Sequence, residues 1–420
     1  MNIKIKIDSL AYKGSAVGRH DGKAIFVPFG VHGDELQVEV VKEHKSFLEG
    51  TITEILRPSY ARTKPECQVF MKCGGCHWQN VKYPEQMRWK HRIFTDTIKR
   101  IGKIEVESFE PARQSLKPYG YRVKSRFQVK NGKWGFFKKD SNDIIEIDSC
   151  PITTEEINNT FTELKNKLSL ISKEIKSVEI GLSVDDSKTV ASVELRNPVD
   201  FNWLETAKEI KGLKGLLVNC KEHEVFTWGD ENLVYEVEGV KVSVPVSSFI
   251  QSNHGQNQYL VEKIIDLLDL KEGDRVADLF SGSGNFTLPM AKKCAEVIGL
   301  DSDESAVKRA GENAQSNFIE NARFVRGFAG SGDEGCKAIE KLKPHVIILD
   351  PPRDGDKKTS LWASKLGADK IVYISCSPPT LARDLKVICD SGYKAVRGGV
   401  VDMFAQTYHI EGFVLLEKIK

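Results

Sequence analysis

A chain of 420 residues, 40% of them hydrophobic, is long enough for about three domains, each with an apolar core. It has no apolar run of the roughly 18 residues that a membrane helix needs and no signal-like N-terminus, and its nine cysteines are odd in number and unevenly spaced, so a membrane span and a secreted disulfide framework are set aside and a cytoplasmic protein is expected. The net charge is only +2, but 15 Lys and Arg face 4 Asp and Glu between Arg88 and Lys139, a local +11 that points to an anionic partner such as nucleic acid.

The first 58 residues hold four short alternating stretches, Ile3–Ile7, Ala24–Val27, Glu35–Val40 and Gly50–Ile55, separated by Gly, His and Asp turns. Short strands at that spacing predict a small β-barrel. Next, Cys67, Cys73 and Cys76 put three thiols within ten residues on a glycine-bearing loop, and Cys150, followed by Pro151, supplies a fourth after a long interval. Four thiolates suit zinc or a 4Fe-4S cluster. Structural zinc usually takes paired C-x2-C halves, whereas a tight triplet with a distant fourth thiol before proline is the more cluster-like pattern. In Tyr121–Lys130, odd positions are mainly apolar and even ones mainly basic, the period-2 pattern of a half-buried strand with a row of cations on one face. That row predicts phosphate binding, with Trp134, Phe136 and Phe137 nearby to stack on unpaired bases. Residues 113 to 245 read as mixed and β-rich, with strands such as Ser177–Ile180 and Val193–Leu195.

Leu260–Leu270 has the i, i+3, i+4 apolar spacing of an amphipathic helix and opens the last unit. Lys271–Thr287 reads as a strand, a glycine turn and a helix start, in which Gly282 and Gly284 let the backbone approach a ligand. Thr287 stands where a dinucleotide fingerprint needs its third glycine, which argues against a pyrophosphate site. The next strand, Val297–Leu300, ends in Asp301, about 20 residues beyond the glycines, where an acidic side chain holds a ribose diol. Adenosine fits that pattern. Two further strands carry chemistry at their carboxyl ends: His345–Leu349 ends in Asp350-Pro351-Pro352-Arg353, and Ile371–Ile374 runs into Ser375-Cys376-Ser377-Pro378. A cysteine on an apolar strand is most often a small core residue, but four chemically loaded strand ends in one stretch weigh against that here. Glu411 follows beside His409 in the final strand-like stretch.

The words Ser248-Phe249-Ile250-Gln251-Ser252-Asn253, Asp278 to Thr287, Asp350 to Arg353, Tyr373 to Asp384 and His409-Ile410-Glu411 together resemble the RNA uracil-5-methyltransferases that use S-adenosylmethionine, most closely the iron-sulfur enzymes acting on 23S ribosomal RNA. Ala11 to Arg19 is similar to the TRAM domain, an OB-like module that delivers RNA to modifying enzymes. The resemblance implies an α/β fold in three parts: a TRAM barrel over 1–58, a mixed α+β central domain with an iron-sulfur cluster over 59–245, and a Rossmann-like S-adenosylmethionine methyltransferase domain over 246–420. It also implies Cys376 as nucleophile and Glu411 as base. Gln251, Phe280, Gly282, Gly284, Asn285, Asp301 and Asp350 are implied to line the cofactor and base pocket, and Cys67, Cys73, Cys76 and Cys150 to hold a 4Fe-4S cluster. This sequence departs from the family pattern at Ser377, Ser281 and Phe328.

The chemistry agrees with that assignment. C5 of uracil is a poor carbon nucleophile, and adding a thiolate at C6 turns the ring into an enolate that can take a methyl group from a sulfonium. A base must then remove the C5 proton. The thiol is therefore expected to have its pKa lowered by local donors or positive charge, with the cationic sulfonium as one candidate and Arg353 and Arg383 as others. The implied partner is an unpaired or unfolded segment of RNA, 23S rRNA before tRNA, with no membrane and no obligate protein partner. Competing readings are an exocyclic-amine methyltransferase, against which Arg353 speaks where an aromatic would stack on a flipped base, and an RNA-binding iron-sulfur protein without catalysis.

Overall fold

A computed structural model describes residues 1–221 and 223–419. The N-terminal barrel closes with five strands rather than four: Asn2–Leu10, Ala16–His20, Lys23–Val27, Glu35–Glu43 and Phe47–Arg57, joined in the order first, second, third, fifth, fourth. The extra strand lies in the TRAM-like segment, where small residues mask the alternation. Ile3, Ile5 and Ile7 point inward on strict alternation, and Gly50 is obligatory because a β-carbon there would lie 2.3 Å from Val38 Cγ1. Asp34, wholly buried, ties the barrel to the segment after it by accepting from the N–H groups of Val31 and Ser59, at 2.7 and 2.8 Å, and from Arg62 Nη2 at 2.6 Å.

Helix Tyr83–Thr97 crosses behind the catalytic sheet and carries a fully buried lysine. Lys90 Nζ lies 2.6 Å from Asp402 Oδ1 and donates to Phe404 O at 2.9 Å, and Tyr83 Oη donates to the other Asp402 oxygen at 2.7 Å. This ion pair pins the segment that leads into Glu411. Removing one partner of a buried pair strands the other, so Lys90→Met is expected to lose about 3–5 kcal/mol in denaturant unfolding, with Lys90→Met/Asp402→Leu recovering part of it.

The middle of the chain forms a seven-stranded sheet in which Lys124–Lys130 lies between Ile175–Ser183 and Lys133–Phe137. In the cation row of Lys124–Lys130, Arg126 and Lys130 are exposed, but Lys124 is largely covered and donates to Ser248 O at 2.6 Å, and Glu179 on the adjacent strand partly neutralises the row, 3.4 Å from Lys124 Nζ and 3.0 Å from Arg126 Nη2. The base-stacking expectation fails for two of its three aromatics. Trp134 is 1% exposed and packs edge-on to Phe161, and Phe136 lies 5.2 Å from Phe127 in the same core, which leaves Phe137 at the surface. A β-hairpin needs apolar side chains on its inner face, and these two residues fill it.

The last unit is an eight-stranded sheet. Five parallel strands stand in the order Ala322–Arg326, Glu296–Asp301, Arg275–Leu279, Val346–Leu349, Lys370–Ser375; the antiparallel Glu411–Lys418 follows, then Tyr393–Val401 and the short Ser108–Phe109. Successive residues of the central strands serve opposite cores: Ile348 and Val372 face one, Ile347 and Ile371 the other. The first core continues into the middle sheet through Val178 and Val190, and the second into the barrel through Ile7 and Ile25. The helix expected from Leu260 begins earlier, at His254, because Asn253 caps it by accepting from Gln256 N–H at 3.3 Å, and it ends at Leu268 with Asp269 left-handed.

Candidate active site

Most of the expected residues stand at the carboxyl ends of the parallel strands, where chain order reverses between Arg275–Leu279 and its neighbour Val346–Leu349, the crevice in which such sheets bind ligands. Cys376 is the first residue beyond strand Lys370–Ser375 and is half-buried. Glu411 opens the adjacent antiparallel strand and is 4% exposed. Ser375 pairs with Gly412, so the register carried one residue further sets Cys376 against Glu411.

Burial dominates the electrostatics of this corner. Burial, reinforced by Glu411, pushes the Cys376 thiol up to about 11, while Arg353 pulls it the other way by charge and by a hydrogen bond. Burial and the neighbouring Asp350 push Glu411 well above the ordinary carboxylate range. Asp350 is itself raised to about 7 by burial and by Asp278, and Asp278 to about 7 by burial, against the hydrogen bond from Thr287. The substrate-free thiol is therefore raised, not lowered, because one exposed arginine does not offset burial among carboxyl groups. His409 is pushed down to about 3 by burial and by Arg353, and is a neutral imidazole.

A second group of residues builds a cradle. Phe280 ends strand Arg275–Leu279 with a φ of 84°, a conformation costly for a side chain with a β-carbon and characteristic of functional turns. It is held there by Leu300 O, which accepts from Phe280 N–H at 2.8 Å and Ser281 N–H at 3.1 Å. Gly282, at φ 52°, donates to Asp301 Oδ2 at 2.8 Å; Asp301 Oδ1 accepts from Asp303 N–H at 2.9 Å. Gly284, at φ 95°, has no room for a β-carbon, which would lie 2.9 Å from Leu288. Beneath the turn, Thr287 Oγ1 donates to Asp278 Oδ2 at 2.5 Å, yet Asp278 Oδ1 and Ser281 Oγ are buried with no partner. Unpartnered buried polar atoms are costly and mark a place for ligand atoms. The sequence pattern alone gives Asp278 no role, although a carboxylate in the strand before a glycine turn is the available signal.

Asn285 is less free than expected. Its amide exchanges hydrogen bonds of 2.8 and 3.0 Å with Asn257, and Tyr235 Oη donates to its oxygen at 3.3 Å. Gln251 lines a small cavity with Tyr235, His254 and Asn257, and so adjoins that pair.

Aromatic groups from three parts of the chain wall the thiol. Tyr408 lies tilted against His409 at 4.3 Å and edge-on to His77 at 4.4 Å, and Tyr12, on a barrel turn, meets Tyr408 edge-on at 6.1 Å beside Ser377 and Cys376. Tyr12 falls in the TRAM-like stretch Ala11 to Arg19, but only the folded chain brings it to the thiol.

Cys67, Cys73, Cys76 and Cys150 line one cavity of about 260 Å³. Burial, with the other three thiols adding to it, pushes Cys76 up to about 12. Gly75 N–H donates to Cys73 Sγ at 3.4 Å. Among the described residues, however, no three His, Cys, Asp or Glu side chains converge into a group that holds a metal ion. The loop is fastened to the catalytic unit where His77 N–H and Trp78 N–H both donate to Gln406 O, at 3.1 and 3.0 Å.

Comparison with known proteins agrees with this architecture. The tRNA (Uracil-5-)-methyltransferase family model matches residues 82–419 and the TRAM domain model residues 2–53. The 23S rRNA (uracil(1939)-C(5))-methyltransferase RlmD of Aeromonas salmonicida is 31% identical over 99% of this chain and 96% of its own length. The RlmD of Vibrio campbellii is also 31% identical, over 99% of this chain and 95% of its own. The tRNA (uracil-54, C5)-methyltransferase of Pyrococcus abyssi, solved with S-adenosyl-L-homocysteine, superposes with a TM-score of 0.79 over 99% of this chain and 100% of that one, a likeness of fold at 24% identity. The chain thus belongs to the tRNA (uracil-5-)-methyltransferase family and is an RNA uracil-5-methyltransferase that takes its methyl group from S-adenosylmethionine.

Proposed function

We propose that this enzyme methylates a uridine of 23S rRNA through a transient bond between Cys376 and the base, resolved by Glu411. The pairing of Ser375 with Gly412 carries the reading, because it holds a thiol and a carboxyl group side by side at one ligand crevice. In this mechanism Cys376 Sγ bonds to C6, and the C5=C6 electron pair moves toward O4 as an enolate. C5 then takes the methyl group while the carbon-sulfur bond of the sulfonium breaks to leave a neutral thioether. Glu411 accepts the C5 proton, the C6-sulfur bond breaks, and the double bond and the thiolate are restored. The raised pKa values fit a site waiting for a cation: a sulfonium docked beside Asp350 favours ionised Cys376 and ionised Glu411 together. Asp301, whose oxygens are oriented by the N–H groups of Gly282 and Asp303, suits the ribose diol, and Asp278 Oδ1 and Ser281 Oγ are acceptors and donors left for the methyl donor's polar groups.

The names of the two RlmD relatives support 23S rRNA as the substrate. Mapping 5-methyluridine in cells with and without this chain tests it: loss of 5-methyluridine from 23S rRNA is expected, loss confined to tRNA would move the substrate, and no loss in either would overturn the reading.

Cys67, Cys73, Cys76 and Cys150 are further proposed to hold a 4Fe-4S cluster. A tight triplet of thiols with a distant fourth before proline supports a cluster over zinc, which usually takes paired C-x2-C halves, and the four thiols line one cavity. Bound there, the cluster would cross-link the loop Cys67–Cys76 to Cys150. Protein purified without oxygen should contain about four irons per chain, and a single zinc in their place would refute the assignment. The closed barrel and the seven-stranded sheet support a division at residues 58 and 245 into barrel, central and catalytic domains, with the central segment lending strand Ser108–Phe109 to the catalytic sheet. A cytoplasmic location is supported by the odd, unevenly spaced cysteines; no helix is long and apolar enough to cross a membrane among the described residues.

A further inference from the structure

Between the barrel and helix Tyr83–Thr97 runs an open groove of about 730 Å³. Its walls hold the apolar and aromatic side chains of Tyr12, Phe26 and Ile101, and its rim holds Arg19, Arg92 and Arg100, with Asp96 as the one acidic group. Arg92 is partly satisfied, 3.7 Å from Asp96 and 5.2 Å over the Trp89 ring. Arg19 and Arg100 are exposed and, among the described residues, have no ion-pair partner. An apolar floor edged by uncompensated guanidinium groups suits a ligand with flat apolar faces on a repeating anionic backbone, which is single-stranded nucleic acid. Ile101 is 52% exposed, a large aliphatic side chain left in water beside those cations. The groove also ends in the right place. Tyr12 lines it and also meets Tyr408 at 6.1 Å beside Ser377 and Cys376, so one side chain links the end of the groove to the neighbourhood of the thiol.

We propose that this groove holds the single strand of RNA adjoining the target uridine, with Arg19 and Arg100 on its phosphates and Tyr12 at the point where the strand turns into the catalytic crevice. The inference rests on the RNA-methylating function and adds the path of the substrate, which places part of the RNA contact on a surface shared by the barrel and the helix, away from the Lys124–Lys130 cation row.

The test is the double variant Arg19→Gln/Arg100→Gln, both at exposed positions, measured beside wild type and beside Arg323→Gln, an exposed arginine on the far edge strand. Binding of a short fluorescein-labelled single-stranded RNA is followed by anisotropy across a salt series, and methyl transfer to unmodified 23S rRNA transcript is followed separately. Loss of two phosphate contacts should lower the slope of log Kd against log salt by about 1.4 and raise Kd roughly 10- to 30-fold near 0.1 M salt. The KM for RNA should rise with kcat and S-adenosylhomocysteine binding unchanged, and Arg323→Gln should match wild type. A double variant with the wild-type slope and Kd, or a wild-type enzyme that methylates the transcript but does not bind the single strand, overturns the groove assignment. Binding is read without turnover, so salt-dependent binding that is lost in the double variant, in an enzyme that methylates no rRNA, would count against the proposed substrate and not against the groove.

Discussion

Cys376→Ala is expected to bind S-adenosylhomocysteine as wild type does and to transfer no methyl group to RNA. The side chain lies at a strand end and its removal leaves the cradle of Phe280, Gly282 and Asp301 untouched, so calorimetric binding of the cofactor product should not change. Without a sulfur to add at C6, C5 stays a poor nucleophile, and loss of turnover should be on the order of 10⁵–10⁶-fold, the scale seen when an enzyme loses its covalent nucleophile. The thiol's environment adds a second expectation for wild type. With its pKa held up at about 11 in the resting protein, Cys376 is mainly the neutral thiol at pH 8. Ionisation creates the active form, so alkylation of the Cys376 peptide should speed up as pH rises. It should also be faster at fixed pH with a cationic analogue of the methyl donor than with the neutral thioether product.

Glu411→Gln should leave the first half of the reaction intact and stop the second. Glutamine has the same shape and no charge, and burial and Asp350 already favour an uncharged Glu411 in the resting protein, so the variant should fold with unchanged or slightly higher stability. It cannot take the C5 proton. Turnover should fall by about 10²–10⁴-fold, the usual contribution of a positioned base, while protein and RNA accumulate as one band on a denaturing gel. A variant that is slow but shows no such band would place the base elsewhere.

Much of the catalytic unit was legible because its signals are local. A strand ending in Asp350 or Cys376, and a turn built on Gly282 and Gly284, write their chemistry into consecutive residues. Glu411 was legible only through resemblance, since its partnership with Cys376 depends on a register set by the antiparallel strand it opens. What stayed hidden was assembled at long range. Tyr12 reaches the thiol from the barrel, His77 from the cysteine loop, and the Lys90–Asp402 ion pair spans most of the chain, and none of these has a sequence neighbour that betrays it. The stacking role given to Trp134 and Phe136 failed for the reverse reason. Aromatics next to cations have the same local pattern whether they face solvent or fill the inner side of a sheet, and only the packing of Phe127 and Phe161 against them decides. The upward push that burial gives the Cys376 thiol was hidden for the same reason, because desolvation is a property of the folded crevice, whereas Arg353, which pulls the other way, is visible in the chain.

The most direct measurement is mass spectrometry of wild-type enzyme quenched during turnover on uridine-containing RNA and digested with protease and nuclease. A transient sulfur-to-base bond predicts a nucleotide carried by the peptide that contains Cys376, absent when S-adenosylmethionine and RNA are both withheld. Rapid methyl transfer with that peptide always unmodified would contradict it.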